Sequence, residues 1–321
     1  MALAPPIRVA PKDFLRVADL NPAGLTHLLD LSAAMDDESL AWVDTLRGRS
    51  VACYFAKPST RTRVSFAAAA ARLGLNPIVL RPDELQLGRG EPIADTARAL
   101  SGYCDAIVIR TFAQREIEDM AAAASVPVIN ALSDEHHPCQ ALADLLTVRE
   151  WFGHLDGVRL AFVGDGNNVA HSLLEAGALA GMEIAVASPP GYAPSPQVVA
   201  DAQALARATG ASIEVCEDPR DAVRGAHAVY TDVWVSMGED AEREQRLREL
   251  RPYQVDEELF ALARPDAIFM HCLPAHRGEE VAAAVIDGPK SVVWEQAANR
   301  EPTAQALLYT LITVDWGTAA Q

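Results

Sequence analysis

Apolar residues recur along this chain in two rhythms. Short runs such as "RSVACYFA" (49–56), "NPIVLR" (76–81), "CDAIVIRTF" and "VPVINAL" read as buried strands. Between them "RVSFAAAAARLG", "IADTARALSGY" and "QREIEDMAAAAS" have the spacing of helices, and "HPCQALADLLTVREWFG" carries apolar positions three and four residues apart. A second series follows. "VRLAFVGDG", "EIAVASP", "SIEVCED", "AHAVYTDVW", "DAIFMHCLP" and "SVVWEQA" read as strands. "VAHSLLEAGALAG", "SPQVVADAQALARATG", "DPRDAVRGA", "DEELFALAR", "EEVAAAVID" and "TAQALLYTLITVDW" read as helices. Steady alternation of strand and helix predicts an α/β fold with two lobes, each a parallel sheet flanked by helices. The break falls near 150, around "WFGHLDG", giving domains 1–150 and 151–321.

Length and composition fit that division. The chain has 321 residues and half of them are hydrophobic, enough for two sizeable cores. Apolar runs stay short of the ~18 residues a membrane span requires, and "MALAPPIRVAPKDF" lacks the pattern of a signal peptide. Five cysteines, an odd number without a CxxC pair, fit a reduced cytoplasmic protein better than a disulfide scaffold. A net charge of −17 argues against nucleic acid as a partner and makes any basic cluster informative.

Such a cluster stands in "CYFAKPSTRTRVSF". Lys57, Ser59, Thr60, Arg61, Thr62 and Arg63 lie between a strand and a helix that is expected to start near Ser59 or Thr60. Unpaired N–H groups, the helix dipole, hydroxyls and a guanidinium fork together favour a phosphate. The plainer alternative is an N-cap with exposed basic residues. In open α/β sheets ligands sit at the carboxyl ends of strands, which draws attention to Arg110 at the end of "IVIRTF". His137, Pro138, Cys139 and Gln140 precede or open a helix; they serve a carbonyl or amide, or else His136, His137 and Cys139 begin a metal site that Cys272 and His276 would complete. Gly164 and Gly166 invite a dinucleotide reading, but Val169 occupies the third small position and Ser188 ends the next strand where an acidic residue is expected. The turn then serves to present Asn167 and Asn168. Asp232 and Cys272 each end a strand; a cap and a buried inert thiol are their plain readings, an amine-binding carboxylate and a reactive thiol the sharper ones.

The segments "FAKPSTRTRVSF", "LQLGRGEPIADTARAL", "IVIRTF", "ALSDEHHPCQALADLLT", "GDGNNVAHSL", "DVWVSMGE", "HCLPAHRGEE" and "ANREPTAQAL", in this order, resemble the aspartate/ornithine carbamoyltransferase family from about Asp19 to the last helix. The resemblance implies carbamoyl transfer from carbamoyl phosphate to an amine, in a cleft between the lobes, with the last helix (about 301–316) returning to the first domain. It implies that Ser59, Thr60, Arg61 and Thr62 hold the phosphate. Arg110, His137 and Gln140 would meet the carbamoyl group, with Pro138 and Cys139 beside them and Arg300 completing the set. Gln86 would reach a neighbouring subunit, which implies a homotrimer or a multiple of it. Asn168, Asp232, Ser236 and Met237 would bind L-ornithine, and Cys272 and Leu273 lie at the reacting centre. Arg61, Arg110, His137, Asp232 and Cys272 are the expected catalytic residues. The "SMG" loop, and a segment "ELQLGRGE" without lysine, favour ornithine over aspartate as acceptor. No cofactor is expected, because carbamoyl phosphate is already activated. Ala56 and Glu301-Pro302 depart from the family's usual residues. Two rivals are a carbamoyltransferase for another acceptor, such as putrescine or an acylated ornithine, and a non-catalytic anion binder on the same fold. A nicotinamide-dependent dehydrogenase is a third.

Overall fold

A computed structural model describes residues 11–236 and 240–314. They fall into two compact units, one within Met1–Ala131 with Glu301–Gln321, the other Leu132–Arg300.

The first unit is built on a four-stranded sheet in the order β2-β1-β3-β4: β1 Ser50–Phe55, β2 Asn76–Leu80, β3 Ala106–Arg110 and β4 Val128–Leu132. β1 pairs in parallel with both β2 and β3. Residues 51–55 of β1 and all of β3 are buried, the mark of central parallel strands covered on both faces. Helices α1 Pro22–Asp37, α2 Arg61–Arg72, α3 Ile93–Ser101 and α4 Gln114–Ala123 belong to this unit. Ile107 and Ile109 of β3 share a core with Ile117 and Met120 of α4.

The second unit holds a five-stranded sheet in the order β7-β6-β5-β8-β9: β5 Arg159–Val163, β6 Glu183–Ala187, β7 Ser212–Cys216, β8 Ala228–Thr231 and β9 Ile268–His271. Every pairing in it is parallel. Its helices are α5 Pro138–Phe152, α6 Asn168–Ala180, α7 Pro196–Thr209, α8 Pro219–Val223, α9 Arg243–Leu250, α10 Glu257–Phe260, α11 Ala283–Ile286 and α12 Val293–Ala298. The terminal helix α13 runs Arg300–Thr313, and from Glu301 on it groups with the first unit. Contacts divide the chain at Ala131/Leu132, so α5 counts with the second unit although most of it lies before residue 150. Among the described residues no helix is long and apolar enough to cross a membrane.

One expected strand is a helix. "SVVWEQA" makes a single bridge from Ser291 to Phe269 and then turns into α12. Its burial explains the change. Val292, Val293, Gln296, Asn299 and Arg300 are buried while Trp294 and Glu295 are exposed, a helical period that overrides the β-branched pair. α1 and α9 fall in stretches for which the pattern of apolar runs named no element.

Both sheets reverse their strand order once. The reversal lies between β1 and β3 in the first, and between β5 and β8 in the second. At such a point neighbouring loops leave the carboxyl edge in opposite directions and open a crevice for ligands.

Candidate active site

At the switch point of the first unit, Phe55 pairs with Arg110, and the Ala56 N–H donates to the Arg110 carbonyl at 2.8 Å. This register sets the basic loop beside the end of β3. Helix α2 begins at Arg61, just after the expected start, and its cap Thr60 makes no side-chain cap hydrogen bond. Instead Ser59 Oγ accepts from the Thr62 N–H at 3.2 Å. The first turn of α2 therefore keeps its positive end beside Arg61, with Thr62 and Arg110 buried in support. Two of the cations serve packing: Lys57 lies 4.2 Å from the centre of the Phe112 ring and Arg63 5.1 Å from that of Phe55. Gln86 is exposed and opens a 3-10 turn, Gln86–Arg89, away from these residues in the chain.

In the second unit His137 caps α5 and Pro138 takes the first helical position, where a missing N–H costs nothing. The His137 N–H donates to Ser172 Oγ at 2.8 Å, which ties this corner to α6. Cys139 is buried and its thiol is pushed up to about 12 by desolvation, so it stays protonated and contributes shape. Gln140 Oε1 accepts from Arg300 Nη1 at 2.5 Å, which joins two of the expected donors for carbamoyl phosphate. Both are buried.

The carboxyl edge of the second sheet, at its switch point and one strand beyond, holds the rest. Thr231 pairs with His271 in the last register of β8 and β9, so Asp232 and Cys272 emerge side by side. Cys272 Sγ lies 2.9 Å from Asp232 Oδ1, which also accepts from the Val233 N–H at 2.8 Å. Asp232 Oδ2 accepts from Asn167 Nδ2 at 2.8 Å. Asn167 caps α6, its Oδ1 accepting from the Val169 and Ala170 N–H groups. Asn168, named as an ornithine ligand, donates to the Ser133 carbonyl at 2.6 Å, while its neighbour Asn167 makes the contact with Asp232. The glycine turn is a packing requirement: a Cβ on Gly166 would meet Pro194 N at 2.4 Å. Arg246 on α9 pairs with Asp165 and donates from Nε to the Trp234 carbonyl at 2.6 Å, anchoring the loop that continues to Ser236. Met237 lies outside the described residues.

After Cys272 the backbone turns at Leu273, with φ +58° and a cis bond to Pro274. The Leu273 N–H donates to His271 Nδ1 at 2.8 Å, and His271 Nε2 lies 3.2 Å from Glu280 Oε1. Among the described residues two groups bring three metal-ligand atoms within 4.8 Å of one another: Asp232, His271 and Cys272, and His276, Glu279 and Glu280. His136, His137 and Cys139 do not form one; His136 Nδ1 instead faces Glu175 at 4.0 Å.

The carbamoyl-P binding domain model of the aspartate/ornithine carbamoyltransferases matches residues 12–150, and the Asp/Orn binding domain model matches 156–311. An ornithine carbamoyltransferase of Acidothermus cellulolyticus is 55% identical over 306 residues, 95% of this chain and 98% of that one. Another, of Parafrankia sp., is 56% identical over 305 residues, 94% of this chain and 96% of its own. The solved ornithine carbamoyltransferase of Pyrococcus furiosus has 48% identity and a TM-score of 0.90, covering 94% of this chain and 96% of that one. With two family domains matched in order and relatives alike over nearly their whole length, the chain belongs to the aspartate/ornithine carbamoyltransferase family.

Proposed function

We propose that this chain transfers the carbamoyl group of carbamoyl phosphate to the side-chain amine of L-ornithine, giving L-citrulline and phosphate. The observation that carries the reading is Asp232, a carboxylate held at a strand end with the Cys272 thiol 2.9 Å from Oδ1. A carboxylate offers about four acceptor positions. Asp232 fills three, with Val233 N–H, Cys272 Sγ and Asn167 Nδ2, and keeps one on Oδ2 for an ammonium group.

An alkylamine has a pKa of about 10.4 in water and arrives protonated. Asp232 binds that cation, which must give up a proton before nitrogen attacks the carbonyl carbon. The proton goes to Asp232, to Cys272 or to water. As the C–N bond forms, charge grows on the carbonyl oxygen, and Arg110, His137 and the Thr62 hydroxyl are assigned to it. The C–O bond to phosphate then breaks. Arg61, with Ser59, Thr60 and the positive end of α2, stabilises the leaving anion. Pro138, Cys139, Gln140, Leu273 and Arg300 shape and hold the rest of carbamoyl phosphate, and Asn168 and Ser236 the remainder of ornithine. The reaction needs no cofactor, since the acyl phosphate bond supplies the activation.

The same reading makes residues 1–150 the carbamoyl phosphate domain and 151–321 the ornithine domain. It makes the protein a cytoplasmic homotrimer, or a multiple of trimers, that serves arginine biosynthesis. The exposure of Gln86 supports a role for that residue at a neighbour's site. The test is Arg61→Ala. Losing this donor is expected to lower kcat about 100- to 1,000-fold, or ~3–4 kcal/mol, with the fold intact. Near-normal turnover would remove the leaving-group clamp from the mechanism.

A further inference from the structure

A glutamine amide turned end for end exchanges acceptor for donors with almost no change of shape, so only its neighbours fix its direction. Asp144 fixes two of them. It lies one turn after Gln140 on α5, and its Oδ1 accepts from Gln140 Nε2 at 2.8 Å and from Gln296 Nε2 at 2.7 Å. Both amides therefore turn nitrogen toward Asp144 and oxygen away. Gln140 Oε1 thereby faces Arg300. Gln296 Oε1 accepts the backbone N–H of His271 at 2.9 Å, one residue before Cys272, and Gln296 Nε2 also reaches the Tyr230 hydroxyl at 3.1 Å. Asp144, Gln296 and Tyr230 are fully buried and Gln140 and Arg300 nearly so, so water does not compete for these bonds.

We propose that Asp144 is a positioning residue for carbamoyl transfer: one carboxyl oxygen orients Gln140 and Arg300 for the donor substrate and, through Gln296, the end of β9 that carries Cys272. The inference rests on the roles given above to Gln140, Arg300 and Cys272. Asp144 supplies an acceptor at a fixed point and does not meet substrate itself. Without it Gln140 is held only through its oxygen on Arg300, Gln296 only by the His271 N–H and the Tyr230 hydroxyl, and the donor-side and acceptor-side groups lose their common reference.

The test compares full-length Asp144→Leu, Asp144→Asn and Gln296→Met enzymes for kcat, both KM values and Tm. Leucine keeps the volume without an acceptor; asparagine keeps a carbonyl oxygen for both amides. Asp144→Leu is expected to lose about 100-fold in kcat/KM for carbamoyl phosphate, the cost of a misplacement of about 1 Å. Asp144→Asn is expected to recover to within about tenfold of the unsubstituted enzyme, since an acceptor remains. Gln296→Met leaves the Asp144–Gln140–Arg300 contacts in place. It is expected to lower kcat about tenfold or more at an unchanged KM for carbamoyl phosphate, since it loosens the ends of β9 and, through Tyr230, β8, and leaves Gln140 held. Equal losses for asparagine and leucine overturn the proposal. So does Gln296→Met with normal kcat, whatever its Tm, and this arm decides the matter should Asp144→Leu not fold. Arg300→Ala is assayed alongside. A normal KM for carbamoyl phosphate in that variant would overturn the underlying residue roles instead, a separate outcome.

Discussion

Replacing Asp144 with asparagine removes a titration from the middle of the second unit. The Asp144 carboxyl is raised to about 7, from an ordinary value of 3.8, chiefly by burial; hydrogen bonds from Gln140 and Gln296 and the charge of Arg300 pull it back only in part. Between those two values the folded chain holds a proton that the unfolded chain has released. Stability from this group is therefore greatest below the unfolded value, declines as pH rises, and reaches its floor above about 7. From pH 5 to pH 8 the decline is about 3 kcal/mol, at roughly 1.4 kcal/mol for each pH unit well below 7 and half of that at 7. Asparagine cannot titrate. It sets an NH2 group where Oδ2 makes no hydrogen bond, which adds an offset of about 1–3 kcal/mol that does not change with pH. The assay is urea unfolding of both proteins at one concentration from pH 5 to pH 8, comparing midpoints at matched m-values. The gap between the two stability curves is expected to shift by about 3 kcal/mol in favour of asparagine as pH rises. Parallel curves would refute the reasoning, because they would mean that Asp144 ionises alike in both states.

Two further substitutions probe other parts of the molecule. Asp232→Ala is expected to raise the KM for ornithine and lower kcat while leaving carbamoyl phosphate binding close to normal, as initial rates with each substrate varied would record; equal damage to both would argue against its role with the amine. Gly166→Ala forces a Cβ to 2.4 Å from Pro194 N, backbone that cannot swing aside, and is expected to cost about 1–3 kcal/mol in urea unfolding, whereas an unchanged midpoint would show that the turn has room.

Much of this was legible in the sequence because strand ends carry the chemistry. Buried apolar runs located β1, β3, β8 and β9, and the polar residues next to them, Ser59 to Thr62, Arg110, Asp232 and Cys272, include those that the registers bring together at the carboxyl edges of the sheets. What stayed hidden depends on contacts between distant segments. Asn167 and Asn168 are indistinguishable by type, and only the turn geometry gives Asn167 to Asp232 and Asn168 to Ser133. Asp144 reads as one polar position in an apolar helix until Gln296, far along the chain, is seen to share its oxygen. Gln296 was itself obscured, since "SVVWEQA" has the composition of a strand and folds as a helix because burial recurs at every third or fourth residue. Arg246 belongs to a charged stretch without apolar rhythm, yet it is buried against Asp165 and Trp234.

The most direct test offers ornithine, putrescine, N-acetylornithine and aspartate in parallel to the purified protein with carbamoyl phosphate, and follows phosphate release and the carbamoylated product. Citrulline from ornithine, with the other acceptors idle, is the expected result. Preferred turnover of another acceptor would contradict the assignment of Asp232 and its loop to ornithine, and no turnover with any of them would contradict carbamoyl transfer itself.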